Sequence, residues 1–197
     1  MNRIKVKIEG KTPLLCNQFT DAAAMKATAR TSGVMQGNDG SPQEMAARKV
    51  YIGHDGEPMI PQPNLYRSII DAGGFHKLGK SKMTTQKTSL VPACIEIDAI
   101  EIPLQSKAGW TVDTRAVRIP STGGRILCHR PCFHDWALEF DLLYDPDLIG
   151  PKLVRELLDT AGKRIGLGDF RPACKGPFGK FNVVLWREEE QEADRPA

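Results

Sequence analysis

Long apolar runs are missing from this sequence. No stretch approaches the roughly 18 consecutive apolar residues that cross a bilayer, and no apolar signal core follows the first charges. A soluble, cytoplasmic chain without a membrane partner is therefore expected. Cysteine is sparse: Cys16, Cys94, Cys128, Cys132 and Cys174 fall at irregular intervals, an odd set that does not read as a disulfide framework and that suits a reducing compartment. Aromatic residues make up only 7% of the 197 residues. No internal repeat is found. What is present, 41% hydrophobic and 26% charged residues, is enough for one domain with a core and excludes a disordered chain, a collagen or a coiled-coil rod.

Charge is unevenly distributed. The formal net charge is +3, but the last ten residues hold Glu188, Glu189, Glu190, Glu192 and Asp194 against Arg195 alone, so residues 1–187 carry 26 basic and 19 acidic residues, a net of +7. A basic body followed by an acidic, disordered tail over 188–197 points to a polyanionic partner, with the tail serving solubility.

Periodicity supplies the elements. Residues 2–8 alternate polar and apolar as a half-buried strand does. The small-residue stretch 20–41 reads as a flexible insertion, and Ser41-Pro42-Gln43-Glu44 starts a helix over 42–50. Tyr51-Ile52 and Met59-Ile60 pair as a small hairpin around Asp55-Gly56. Pro61-Gln62-Pro63-Asn64 opens a second helix, with Leu65, Ile69 and Ile70 at helical spacing. From His76 to Leu90 no acidic residue occurs, while Lys77, Lys80, Lys82 and Lys87 stand among the hydroxyls of Ser81, Thr84, Thr85, Thr88 and Ser89, loop chemistry suited to phosphates. Strands are expected over 91–102, 111–119, 126–130, 136–144 and 181–186, and a helix from Pro151 to Gly162. The order strand, helix, strand pair, strand, helix, strand is the split βαββαβ pattern of an α+β, ferredoxin-like sheet with helices on one face.

The segment between the last helix and the last strand concentrates the chemistry. Gly166, Gly168, Gly176 and Gly179 let a backbone turn tightly, and Lys163, Arg164, Arg171, Lys175 and Lys180 are opposed by Asp169 alone. Two readings follow: N–H groups and cations turned toward a nucleic-acid backbone, or glycines that solve a packing problem. A Walker A loop is excluded, because Gly179-Lys180 is followed by Phe181.

Three landmarks occur in a telling order. They are a first strand ending in Thr12-Pro13-Leu14-Leu15, the segment Ile60-Pro61-Gln62-Pro63-Asn64-Leu65-Tyr66-Arg67, and the glycine-rich run Gly166-Leu167-Gly168 with Gly176-Pro177-Phe178-Gly179-Lys180-Phe181. Together they resemble the RAMP superfamily of CRISPR-associated proteins, most of all the backbone subunits that coat a guide RNA. The resemblance implies a modified RRM-like palm over 1–187, a finger-like insertion over 20–56, a thumb-like hairpin over 103–131, head-to-tail copies of the chain and contacts with other effector subunits. It places Asn64, Arg67, Arg115, Arg118 and Arg130 beside the basic loops as candidates for binding single-stranded RNA. No RNP-type run of rings is present, so contacts to phosphate and sugar are expected rather than base-specific readout. Phe178 and Trp110 are candidates either for stacking on bases or for plugging the core.

Rival readings are specific. An endoribonuclease of the same superfamily would use His76 beside Lys77, or Asp21 or Asp39 as a loop acid. A guide-independent single-stranded DNA-binding protein would use the same cations, because phosphate contacts do not distinguish sugars. A structural domain whose basic surface meets another protein is the fourth. Cys128, His129, Cys132 and His134 offer metal-ligand types without a paired CxxC, and alternation sends neighbours to opposite faces, so neither a metal nor any cofactor is expected. The leading expectation is a non-catalytic RNA-binding subunit.

Overall fold

The computed structural model describes residues 1–19, 40–118 and 123–189. Strand β1 (Asn2–Gly10) follows its alternation: Ile4, Val6 and Ile8 are fully buried, while Arg3, Lys5 and Lys7 lie on the other face. It turns into the two-residue β2 (Leu14–Leu15). Helix α1 (Pro42–Ala47) opens on a capping box: the Ser41 Oγ accepts from the Glu44 N–H at 3.3 Å, and the Ser41 N–H donates to Glu44 Oε2 at 2.7 Å. It ends earlier than the expected residue 50. A bridge between Ile52 and Pro58 then leads to β3 (Met59–Pro61) and helix α2 (Gln62–Ala72).

Two expectations need correction in the next stretch. The acid-free segment after α2 is not only loop, since it holds a small hairpin, β4 (Lys77–Leu78) and β5 (Ser81–Lys82), anchored by the fully buried Met83. Residues 91–102 are not one strand. They form a helical turn α3 (Val91–Cys94), then β6 (Ile95–Ile97), a break at Asp98–Ile100 where the Asp98 N–H donates to the Asp141 carbonyl, and β7 (Glu101–Gln105). Pro92 in the first helical turn, with Val91 and Cys94 buried at i and i+3, accounts for the turn.

Strands β8 (Thr111–Arg118) and β9 (Arg125–Phe133) form a long antiparallel hairpin in register from Thr111 opposite Cys132 to Arg118 opposite Arg125, and β9 also pairs with β2. Strand β10 (Ala137–Tyr144) is followed by helix α4 (Pro151–Thr160), which continues as a π turn through Ala161–Ile165. Gly162 was expected to stop this helix; instead a Cβ there would collide with the Phe181 carbonyl, so its lack of a side chain serves packing against the last strand. That strand, β11 (Phe181–Glu189), includes Glu188 and Glu189, paired opposite Ile4 and Arg3, which corrects their assignment to the tail; residues 190–197 lie outside the described residues.

The main sheet runs β11-β1-β10-β7-β3, with β6 also on β10, and every pairing is antiparallel. Helix α2 links β1 to β6 and β7, and α4 links β10 to β11, so the ferredoxin-like split βαββαβ order is the observed one. Both helices cover one face: Leu65, Ile69 and Ala72 of α2 and Val154, Leu157 and Leu158 of α4 join Ile4, Val6, Ile8, Leu138 and Leu142 in one core. Each such buried aliphatic side chain contributes about 1.5–3 kcal/mol. Among the described residues no helix is long and apolar enough to cross a membrane.

Candidate nucleic-acid interface

The glycine-rich loop closes over the corner where β1 turns into β2. Its backbone is stitched to that corner: the Lys11 N–H donates to the Lys180 carbonyl (2.7 Å), the Lys180 N–H to Thr12 Oγ1 (2.9 Å), the Gly179 N–H to the Pro13 carbonyl (2.8 Å) and the Asp169 N–H to the Leu15 carbonyl (2.8 Å). Within the loop, Leu167 donates to Gly179 and Gly176 to Arg171. These N–H groups are spent on the chain itself, so the expectation that they face a ligand is corrected.

The glycines explain why so tight a clip forms. A Cβ on Gly168 would strike the Leu15 carbonyl, one on Gly176 the Phe170 carbonyl and one on Gly179 the Leu167 carbonyl; Gly166, Gly168 and Gly179 also hold positive φ of 78°, 75° and 68°. These glycines let the loop pack closely against the chain's own carbonyls.

Arg130 is the second correction. It is 3% exposed, with Nη1 2.8 Å from Asp169 Oδ2 and Nη2 3.4 Å from Asp113 Oδ2. It bolts the β8–β9 hairpin to the glycine loop, and burial removes it from any strand of RNA. Arg115 shares Asp113 at 2.8 Å and lays its guanidinium over the Phe178 ring, 4.9 Å from the centroid. Phe178 is buried with Leu15, Cys132 and Phe170, a plug and not a stacking ring. Trp110 is likewise half-buried against the core. Burial pushes the Cys16 thiol up to about 12, with Cys132 and Asp169 adding to the effect.

The outward cations remain. Lys163, Arg164 and Lys175 are exposed and Lys180 half-exposed, with no ion pair to any of them among the described residues. Lys175 is exposed and has a left-handed φ of 63°. Arg171 turns inward, Nη1 donating to the Gly168 carbonyl at 3.0 Å. Lys11, exposed and bonded through its backbone to Lys180, is a cation that sequence reading missed; its place directly before Thr12-Pro13 was the available signal. Arg118 is exposed on β8 toward the hairpin tip. Near the start of α2, burial raises the pKa of the Tyr51 phenol, and Arg67 pairs with Asp71 at 2.9 Å along the outer helix face.

The second basic loop sits on the helix layer, tied to α2 through Thr84 and to the end of α4 through His76. His76 Nε2 is 2.7 Å from Thr160 Oγ1, and Arg164 lies over the Phe75 ring at 5.2 Å, which brings the hairpin beside the π turn. Thr84 donates from Oγ1 to the Ile70 carbonyl (2.6 Å) and Thr85 to the Thr88 carbonyl (3.2 Å), so both hydroxyls hold the loop's own shape. Lys77, Lys80, Lys82 and Lys87 point outward.

For catalysis, His76 is mostly covered and engaged with Thr160, with Glu156 4.0 Å from Nδ1. Asp21 and Asp39 lie outside the described residues. His129 bonds Thr114 (2.8 Å) and Cys128 faces Lys49 Nζ (3.3 Å), and no group of three metal-ligating side chains forms among the described residues. The open face of the main sheet presents Arg3, Lys5, Lys7, Glu139, Asp141 and Arg187 without a ring among them, and Arg3 is already paired with Asp98 and Asp141 at 2.7 Å. A base-stacking sheet of the RRM kind is absent there.

Sheet order and helix placement define a ferredoxin-like palm, with a long hairpin bolted to the glycine loop. The same fold occurs in a chain of the cryo-EM structure of the Type III-B Cmr-beta bound to cognate target RNA, with a TM-score of 0.61 and 11% identity, covering 96% of this chain and 61% of that one. This chain thus spans less than two thirds of the length of that one. No protein-family model matches the sequence, and neither does any curated protein.

Proposed function

We propose that the protein is a single-stranded RNA-binding subunit of a CRISPR effector assembly, holding guide RNA by its phosphates and working beside copies of itself and other subunits. Lys11, Lys175 and Lys180 at the β1–β2 corner, with Lys163 on the π turn, carry the charge, and the hairpin over 111–133 is the thumb. The observation that carries the reading is a rigid corner with its backbone satisfied internally and its cations turned outward, on the fold shared with a chain of the Type III-B Cmr-beta bound to target RNA. Such a surface favours phosphate contacts, which are electrostatic and salt-sensitive.

Fluorescence anisotropy with labelled RNA and DNA oligomers of one sequence tests this. Binding that weakens steeply with salt is expected, and replacing Lys175 and Lys180 together with Ala removes two phosphate contacts, which flattens the log–log salt slope by about 1.4. No binding to either polymer in dilute buffer refutes the reading, and tighter binding to DNA moves the chain to a guide-independent role.

A further inference from the structure

The helix layer carries a feature that phosphate contacts leave unused. Phe75 is an exposed ring, 57% exposed, at the end of α2. It is not loose. His76 beside it is fixed to Thr160 Oγ1, Met83 is fully buried beneath the hairpin, and Thr84 ties the hairpin to the Ile70 carbonyl. The guanidinium of Arg164 covers one face of the ring, leaving the rest to solvent.

The charges beside the ring lack an internal explanation. Lys77 and Lys82 are direct cross-strand partners in the β4–β5 hairpin, and Lys80 stands at its turn. Like charges directly opposite each other destabilise a ladder. None of the three has an ion pair among the described residues. Of the carboxylates on α4, Glu156 is directed to His76 at 4.0 Å and Asp159 to Arg155 at 3.1 Å. An anion would relieve this repulsion.

A rigid exposed ring backed by an arginine, beside three uncompensated ammonium groups, matches one ligand unit: a base with its flanking phosphates. We propose that Phe75 and Arg164 form a stacking platform for one unstacked base of a single-stranded RNA, whose phosphates are held by Lys77, Lys80 and Lys82. This inference rests on the RNA-binding reading above and adds a base-contacting site on the helix layer, separate from the β1–β2 corner.

The test uses the full chain with fluorescein-labelled oligoadenylate. Phe75→Ala and Phe75→Leu are expected to lower affinity about tenfold. The salt slope should stay unchanged, whereas replacing Lys77, Lys80 and Lys82 with Ala flattens it. Phe75→Trp is expected to keep wild-type affinity and to show emission quenched by unlabelled oligoadenylate beyond the quenching of the parent's own tryptophans. Unchanged thermal unfolding of the variants keeps folding out of the comparison. Wild-type affinity in the Ala and Leu variants, with no added quenching in the Trp variant, would assign the ring to a protein contact and overturn the proposal while leaving RNA binding intact. Failure of the parent chain to bind oligoadenylate in dilute buffer would instead remove the RNA-binding reading and this site with it.

Discussion

Two basic loops in this molecule look alike as sequence and differ as structure. The loop over 166–180 is glycine-rich, and its backbone is consumed by bonds to Thr12, Pro13 and Leu15. The hairpin over 76–90 has a single positive-φ glycine, Gly79, with nothing within 4 Å of a would-be Cβ. In the first loop the glycines answer to the chain's own carbonyls; in the second the glycine only turns the corner. Glycine content therefore reports how closely a segment packs on itself, and the direction of its lysines reports what it offers to a partner.

The contrast can be broken by substitution. The largest expected effect is on the bolt: Arg130→Ala leaves Asp169 and Asp113 without their buried partner, at a cost of about 3–5 kcal/mol in urea unfolding. A change under about 1 kcal/mol would show that the hairpin and loop are not fastened this way. Next comes the glycine pair. Gly168→Ala must displace the Leu15 carbonyl and is expected to cost about 3 kcal/mol, whereas Gly79→Ala meets open space and costs only the left-handed backbone penalty of about 1 kcal/mol. Equal losses would erase the distinction between the two loops.

The smallest effect is a pH dependence at the hairpin's foot. Asp135 accepts from the Lys107 N–H at 2.9 Å and from the Ser106 hydroxyl at 3.0 Å, and these bonds hold its carboxyl below the usual range, the backbone bond most strongly. A carboxyl whose folded pKa is depressed contributes stability that is present above its unfolded pKa and lost as pH falls through the folded one. Acid titration of unfolding should therefore show a slightly steeper loss in the parent than in Asp135→Asn; parallel curves would remove this contribution.

Much of the palm was legible because local and global signals agree in it. The alternation of residues 2–8, the Ser41–Glu44 capping box and the apolar stripe of α4 each specify their element within a few residues. The stretch 91–102 misled because its alternation fits a strand throughout, while Pro92 and the Asp98 bond to Asp141, 43 residues away in sequence, divide it. Arg130 misled for a related reason: a charged residue on a strand reads as exposed, and its burial is set by Asp113 and Asp169, which lie 17 and 39 residues away. The glycines were legible as a tight turn, but nothing local tells a ligand's oxygen from a neighbouring carbonyl. Phe75 went unread in the sequence, although it directly precedes the acid-free lysine segment, because its arginine backing lies 89 residues later.

The bolt at Arg130 has a mechanical meaning. Beyond Arg130 and its cross-strand partner Asp113, five residues at about 3.3 Å each make the outer β8–β9 ribbon an arm of about 17 Å, so a tilt of ten degrees or so at the pivot sweeps the far end by roughly 3 Å. A pivot clamped by one sunken guanidinium between two carboxylates keeps that sweep small, and lets any strain applied at the tip be felt by the turn that carries Lys175 and Lys180.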